Sequence, residues 1–205
     1  VRQAKDTAEI GNEDFQLIQA FLDHDQYAFD RLTLKYQDRV FDLCFKMLGN
    51  AEDASDCAQE TFIKVYRALG GFRFQARFTT WLYRIAVNTC KNKLASAEYR
   101  RRREMVALDN ATRQDECRIT ERSGDFQAPE QIFEAKANTE LIRDAIAALP
   151  ERQKILIVLC DLEGQPYEEI ARITGLRLGT VKSGLARARH RLRGALEGVI
   201  RCEVS

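Results

Sequence analysis

Two stretches of the chain carry side chains whose types and spacing suit nucleic-acid chemistry. In the first, Phe72, Arg73, Phe74, Gln75 and Arg77 interleave rings with cations, and Arg84, Asn88 and Lys91 follow at helical spacing on one face. Rings stack on unpaired bases with little regard to sequence, and cations hold the backbone, so this combination fits capture of a single strand. Asn88 sets an amide donor beside an acceptor, the pairing that reads a base edge. In the second stretch, Arg177, Thr180, Lys182, Ser183, Arg187 and Arg191 lie along a segment of helical spacing, as a helix in a major groove requires. The two histidines, His24 and His190, stand near no cysteine or carboxylate set that spells out a site. With no P-loop, H-E-x-x-H or G-x-S-x-G, neither a catalytic constellation nor a cofactor is expected, and the chain reads as a binding protein rather than an enzyme.

The elements that must position these side chains are helices. Periods of three and four recur throughout, and no alternating segment of strand length stands out, so an all-α fold is expected. After a polar tail of residues 1–14, Phe15, Ile18 and Leu22 open a first helix. Phe29, Leu32, Tyr36, Val40, Leu43 and Met47 mark a second, which Gly49-Asn50 ends. A third runs from Ala51 to Leu69, its early Glu52, Asp53 and Asp56 suiting the positive end of the helix dipole, with Phe62, Val65 and Leu69 as core. Gly70-Gly71 stops it. A fourth starts near Thr79 with Phe78, Leu82, Ile85 and Thr89 on one face, takes Trp81 into the core, and continues to Arg103. These four form a bundle over residues 15–103.

Periodicity fails over residues 104–135, which read as a flexible linker between independent modules. In the second module, residues 136–202, Leu141, Ile142, Ala145, Ile146 and Leu149 make an apolar face. Pro150 opens a helix carrying Ile155, Ile157, Val158 and Leu162, and Gly164-Gln165-Pro166 breaks the chain before a final pair. That pair, Tyr167 to Ala186, has helix-turn-helix spacing: Ala171 is small where the helices cross, and Gly175 supplies the positive φ of the turn. Val181 closes the small core with Ile170, Leu176 and Leu185, while Gly184 weakens the helix interior. A plain helical hairpin shares this spacing. The outward cations of its second helix, Arg189 among them, favour DNA binding.

The overall formal charge of +1 hides a segregation that matters more. Residues 91–103 hold six basic residues against one acid, and residues 176–201 hold seven against one. Between them, residues 104–140 hold nine acids against four bases, so two basic faces flank an acidic spacer. The six cysteines are scattered, with no C-x-x-C pair and no histidine at ligand spacing, so neither a metal site nor a disulfide framework is expected. Cys57, Cys90 and Cys160 fall in helical patterns and read as small core residues. No apolar run reaches the length of a membrane span and no leader pattern opens the chain, so a cytoplasmic location is expected.

Both modules resemble the extracytoplasmic-function (ECF) group of bacterial sigma-70 factors. The residues that carry the likeness are 56–67 (DCAQETFIKVYR), Phe72-Arg73, 78–88 (FTTWLYRIAVN), Leu149-Pro150 and 179–183 (GTVKS), in the family's order and separation. The resemblance implies a region-two bundle and a region-four helix-turn-helix domain. It implies that Asp53, Asp56, Gln59 and Glu60 face core RNA polymerase, and that Phe72, Arg73, Phe74, Gln75, Arg77, Arg84, Asn88 and Lys91 melt and read the minus-ten element. Arg177, Thr180, Lys182, Ser183, Arg187 and Arg191 would read the minus-thirty-five element. Partners so implied are core polymerase, promoter DNA and an anti-sigma factor, free or membrane-anchored, in a stress or envelope response. The chain departs from many members where Phe74-Gln75 replaces a glycine followed by an acid, and where Ala186 offers only a methyl on the recognition helix. An autonomous helix-turn-helix regulator acting without polymerase is the alternative reading; such proteins usually bind as dimers to half-sites about one helical turn apart.

Overall fold

The computed structural model describes residues 13–96, Tyr99 and residues 141–203, and its described elements are helical. The expected linker and Arg100 to Arg103 lie outside the described residues.

Helix α1 spans residues 13–22. It starts inside the expected tail because Asp14 is a structural residue: its buried carboxylate accepts the Tyr36 hydroxyl at 2.7 Å and the Lys35 ammonium at 2.8 Å. Leu17 and Ile18 face the core, whereas Phe15, expected there, is exposed. A left-handed His24 (φ 71°) ends α1, and the Asp25 side chain accepts the Tyr27 N–H to start α2 (Gln26–Leu48). Gly49 closes α2 at φ 77°, and Asn50 caps α3 (Ala51–Ala68) through the Asp53 N–H. A 3-10 turn (Leu69–Gly71) and a loop lead to α4 (Phe78–Ala95). Ser96 is extended and ends α4 well before Arg103, and the Tyr99 hydroxyl pins the chain back to the Leu48 carbonyl at 2.8 Å. Leu32, Tyr36, Val40, Leu43 and Met47 of α2 meet Leu82, Ala86 and Val87 of α4 in the core. Each Leu, Val or Met side chain among these contributes about 1.5–3 kcal/mol by burial.

The second module comprises α5 (residues 141–147), α6 (Glu151–Ile157), α7 (Tyr167–Thr174) and α8 (Leu178–Glu203). From Val158 to Leu162 the α6 spiral widens into a π turn. The wider turn rotates the succeeding residues out of the α-helical register. Leu162, expected in the apolar face, accordingly stands exposed, and so does Ile142 of α5. Gly175 adopts φ 71° between α7 and α8, and Val181, Leu185 and Ile170 are fully buried around it.

Gly184 has a reason that helix propensity conceals. A Cβ there would lie 2.5 Å from Leu156 Cδ1, so α8 crosses α6 at glycine distance. Gly184→Ala is expected to destabilise by about 1–3 kcal/mol through overpacking, despite the better helix former. Gly194→Ala, on the same helix with open space around it, should stabilise by about 0.5–1 kcal/mol. Urea unfolding of the two variants checks the contrast, which equal shifts would contradict.

Candidate nucleic-acid interface

The loop between the 3-10 turn and α4 is an aromatic cluster. Phe74 sits at φ 55°, and its ring lies 4.9 Å from both Phe15 and Phe72 by centroids. Phe72 continues the cluster to Trp81 at 5.1 Å, so Trp81 is half-buried among rings rather than sunk in the core. Arg73, Gln75 and Arg77 are exposed around them. Beside the loop lies a cavity of about 590 Å³, lined by Phe15, Arg39, Phe72, Phe74, Gln75 and Arg77, with Gln165 and Arg172 from the second module. Rings, an amide and guanidinium groups around one concavity can stack a base and neutralise its phosphate. Along α4, Arg84 and Asn88 stand exposed on one face, as their spacing required. Lys91 is half-buried and turns into a groove shared with Glu151, Arg152 and Thr174.

The acidic helix α3 divides. Asp56, Gln59 and Glu60 are exposed, Glu60 in an ion pair with Lys64 at 2.7 Å. Asp53, placed by sequence with them, is buried, its carboxylate 3.0 Å from Lys93 of α4. The Asp53 hydrogen bond raises the Lys93 pKa against the desolvation that lowers it. Asp53 thus ties α3 to α4 and does not belong to the outward face. Lys93 was missed as its partner because spacing within one helix says nothing about the next.

On α8, Arg177 just before its start and Lys182, Ser183, Arg187 and Arg191 within it are exposed, with Thr180 half-buried. Arg189 is exposed like the rest of the row but is also paired: its Nε donates to Asp161 at 3.1 Å and its guanidinium reaches the Tyr167 hydroxyl. That hydrogen bond also holds the Asp161 carboxyl below the ordinary range. Arg189 therefore fastens α8 to the π turn and to α7.

The two modules touch. Glu163, just past the π turn, accepts the Lys46 ammonium of α2 at 2.6 Å and the Tyr83 hydroxyl of α4 at 3.2 Å. Burial and the neighbouring Glu163 push the Tyr83 hydroxyl pKa up. The Thr80 hydroxyl donates to Glu169 of α7 at 2.6 Å, and the Arg143 guanidinium lies 5.5 Å from the Phe45 ring. Independent modules were expected from the linker; these contacts between Lys46, Thr80, Tyr83 and two glutamates left no trace in sequence periodicity. Among the described residues no cluster is arranged to hold a metal ion, and no helix is long and apolar enough to cross a membrane.

Asp53→Ala is expected to lower stability by about 1–3 kcal/mol, since it leaves a partly buried ammonium without its nearest carboxylate. Asp56→Ala, at 3.6 Å from Lys93 and largely exposed, should change stability by less than about 0.5 kcal/mol. Thermal unfolding of both checks the division; an unaffected Asp53 variant would return that residue to the outward face.

Comparison with known proteins places both modules. Residues 32–103 match the Sigma-70 region 2 family and residues 139–192 match Sigma-70, region 4. The chain is 36% identical over 189 residues to the RNA polymerase sigma-H factor of Pseudomonas aeruginosa, covering 92% of this chain and 96% of that protein. It is 35% identical over 184 residues to the ECF RNA polymerase sigma-E factor of Haemophilus influenzae, covering 90% and 95%. Its fold is similar to that of CnrH in complex with the cytosolic domain of CnrY (TM-score 0.63, 21% identity, 91% and 98% covered). It is also similar to the sigma factor RpoE in complex with the anti-sigma factor NepR from Bartonella quintana (TM-score 0.58, 22% identity, 82% and 96% covered).

Proposed function

Because the chain belongs to the extracytoplasmic-function group of sigma-70 factors, non-enzymatic proteins that initiate transcription, we propose a division of labour among its residues. Asp56, Gln59 and Glu60 of α3 meet a basic surface of core RNA polymerase in the cytoplasm. Phe72, Arg73, Phe74, Gln75, Arg77, Arg84, Asn88 and Lys91 capture and read the melted minus-ten strand. Arg177, Thr180, Lys182, Ser183, Arg187 and Arg191 place α8 in the major groove of the minus-thirty-five element. The observation that carries this reading is the separation of a stacking surface and a groove-reading surface onto two modules of one chain. Two weak contacts held by one machine gain about two to four orders of magnitude in avidity.

Purified chain added to core polymerase should start transcription at a defined promoter subset. Lys182→Ala or Arg187→Ala should weaken minus-thirty-five binding by about 1–3 kcal/mol where the contact is to a base, whereas Asn88→Ala should impair opening. Equal losses on unrelated promoters would reassign these side chains to the DNA backbone. Tight duplex binding by the chain alone, indifferent to polymerase, would favour the autonomous regulator instead.

The module contacts bear on regulation. With Glu163 and Glu169 engaged, α7 lies against α4 and the second module shares the cavity at the strand-capturing loop, while the α8 cations stay exposed. This closed arrangement is one that polymerase must open. By their own descriptions one similar structure holds the cytosolic domain of CnrY and the other the anti-sigma factor NepR, which supports an anti-sigma factor, free or membrane-tethered, as the agent that keeps this chain closed. Glu163→Ala removes acceptors for both Lys46 and Tyr83 and should shift the closed-to-open ratio by about tenfold per 1.4 kcal/mol lost. Small-angle scattering and binding of single-stranded minus-ten DNA to the free protein read the change; an unaltered radius of gyration with unaltered binding would discard the clasp.

A further inference from the structure

Asp14, Leu17 and Ile18 lie at helical spacing on the buried side of α1, which leaves the intervening Phe15 turned outward and nearly half exposed. Its ring does not stand alone. It lies 4.9 Å by centroids from Phe74, Phe74 stands at the same distance from Phe72, and Phe72 lies 5.1 Å from Trp81. The rings thus run in an unbroken series from α4, across the loop, to α1. Phe15 shares the lining of the loop cavity with Arg39 of α2. Arg39 is exposed and forms no salt bridge with any described residue. Asp14, the acid in the same lining, has its charge met by the Lys35 ammonium and the Tyr36 hydroxyl, so it does little to repel a phosphate.

A side chain that served only to prop Phe74 in place could do so with one face, and leucine would suffice. A ring left half open beside a guanidinium with no carboxylate offers something more. It supplies the two groups that an unpaired nucleotide takes up, a surface for its base and a charge for its backbone. We propose that Phe15 and Arg39 form a second nucleotide subsite, which stacks the unpaired base next to the one taken by the loop and holds a phosphate of the same strand.

The inference rests on the strand-capturing reading of the loop and extends it to two elements, α1 and α2, that the sequence assigned only to the core. With the subsite in place the strand is gripped from three helices rather than one. Stacking on Phe15 is tolerant of sequence, so the subsite adds affinity for the melted strand without adding a base preference.

The test uses the folded full-length chain and single-stranded thymidylate dodecamers, each carrying one 5-iodouracil at a different position. Ultraviolet light joins the iodinated base to a stacked aromatic ring, and peptide mass spectrometry locates the join. Joins are expected at Phe15 as well as at Phe72 or Phe74. Phe15→Ala should lower oligomer affinity about tenfold and abolish the outer join while the loop joins persist, whereas Phe15→Trp should retain both. Arg39→Ala should flatten the fall of log affinity with log salt by about 0.7, the contribution of one phosphate on a single strand. Joins at the loop but never at Phe15 would overturn the subsite whatever the affinity of Phe15→Ala, because a prop alone would then account for any loss, and the loop's own role would stand. An unchanged salt slope would remove Arg39 from the subsite. Absence of any join in the loop would sink the strand-capturing reading itself and the subsite with it. The wild-type map separates these results even where a variant reshapes the loop.

Discussion

A helix can offer cations to phosphate only while another of its faces is held down by something apolar, and each helix proposed to face DNA in this chain depends on that restraint. On α8, Val181, Leu185 and Ala188 are buried at helical spacing, which turns Lys182, Arg187 and Arg191 outward. On α4, Leu82, Ala86 and Cys90 play the same part and leave Arg84 and Asn88 free. The burial also sets how closely helices approach. Gly184 lets α8 approach so closely that a Cβ there would lie 2.5 Å from Leu156 Cδ1, and one of the two would have to shift to admit it. Cation placement therefore follows from core packing, with charge itself contributing little to the fold, since exposed pairs are worth roughly 0–1 kcal/mol.

The same logic explains how much was legible in the sequence. Helical periodicity reports which face of a helix is apolar, so α2, the Gly175 turn and the α8 core were readable residue by residue. It does not report which neighbour a polar side chain meets. Asp53 looked like Asp56 because both lie in the acidic opening turns of α3, yet one turns inward to Lys93. Arg189 looked like its neighbours, yet it reaches Asp161 across the π turn. That turn was itself invisible, because one extra residue per turn over Val158–Leu162 changes register without changing composition. Asp14 was missed because a carboxylate reads as surface until a buried hydroxyl is known to face it.

Contacts between the modules belong to the same class of hidden information. Glu163 carries no signature in its own segment, and its donors come from α2 and α4, far away in the chain. The contacts combine polar bridges with apolar side chains such as Phe45, Met47 and Ile146 around one cavity, and relative motion is common between two domains of one chain. A closed state held by such contacts can dominate in the free protein and yet yield to a partner that binds the open form better. The requirement on that partner is only a differential affinity, because equal affinity for both states shifts nothing.

Phe74 shows how a local departure from a family can alter a proposed binding surface. The resemblance implies glycine here in many members, a residue indifferent to the sign of φ. This chain puts phenylalanine at φ 55°, a conformation that costs a non-glycine residue about 1–2 kcal/mol. The compensation is visible in the ring contacts to Phe15 and Phe72, and aromatic pairs contribute roughly 0.5–1.5 kcal/mol beyond burial. Strain and stacking are therefore of similar size, and the loop is held in shape by α1 rather than by its own backbone preference. In the proposed role of this loop, a base that displaced Phe74 from Phe15 would have to offset that ring contact, whereas one that stacked on the outer ring face would not.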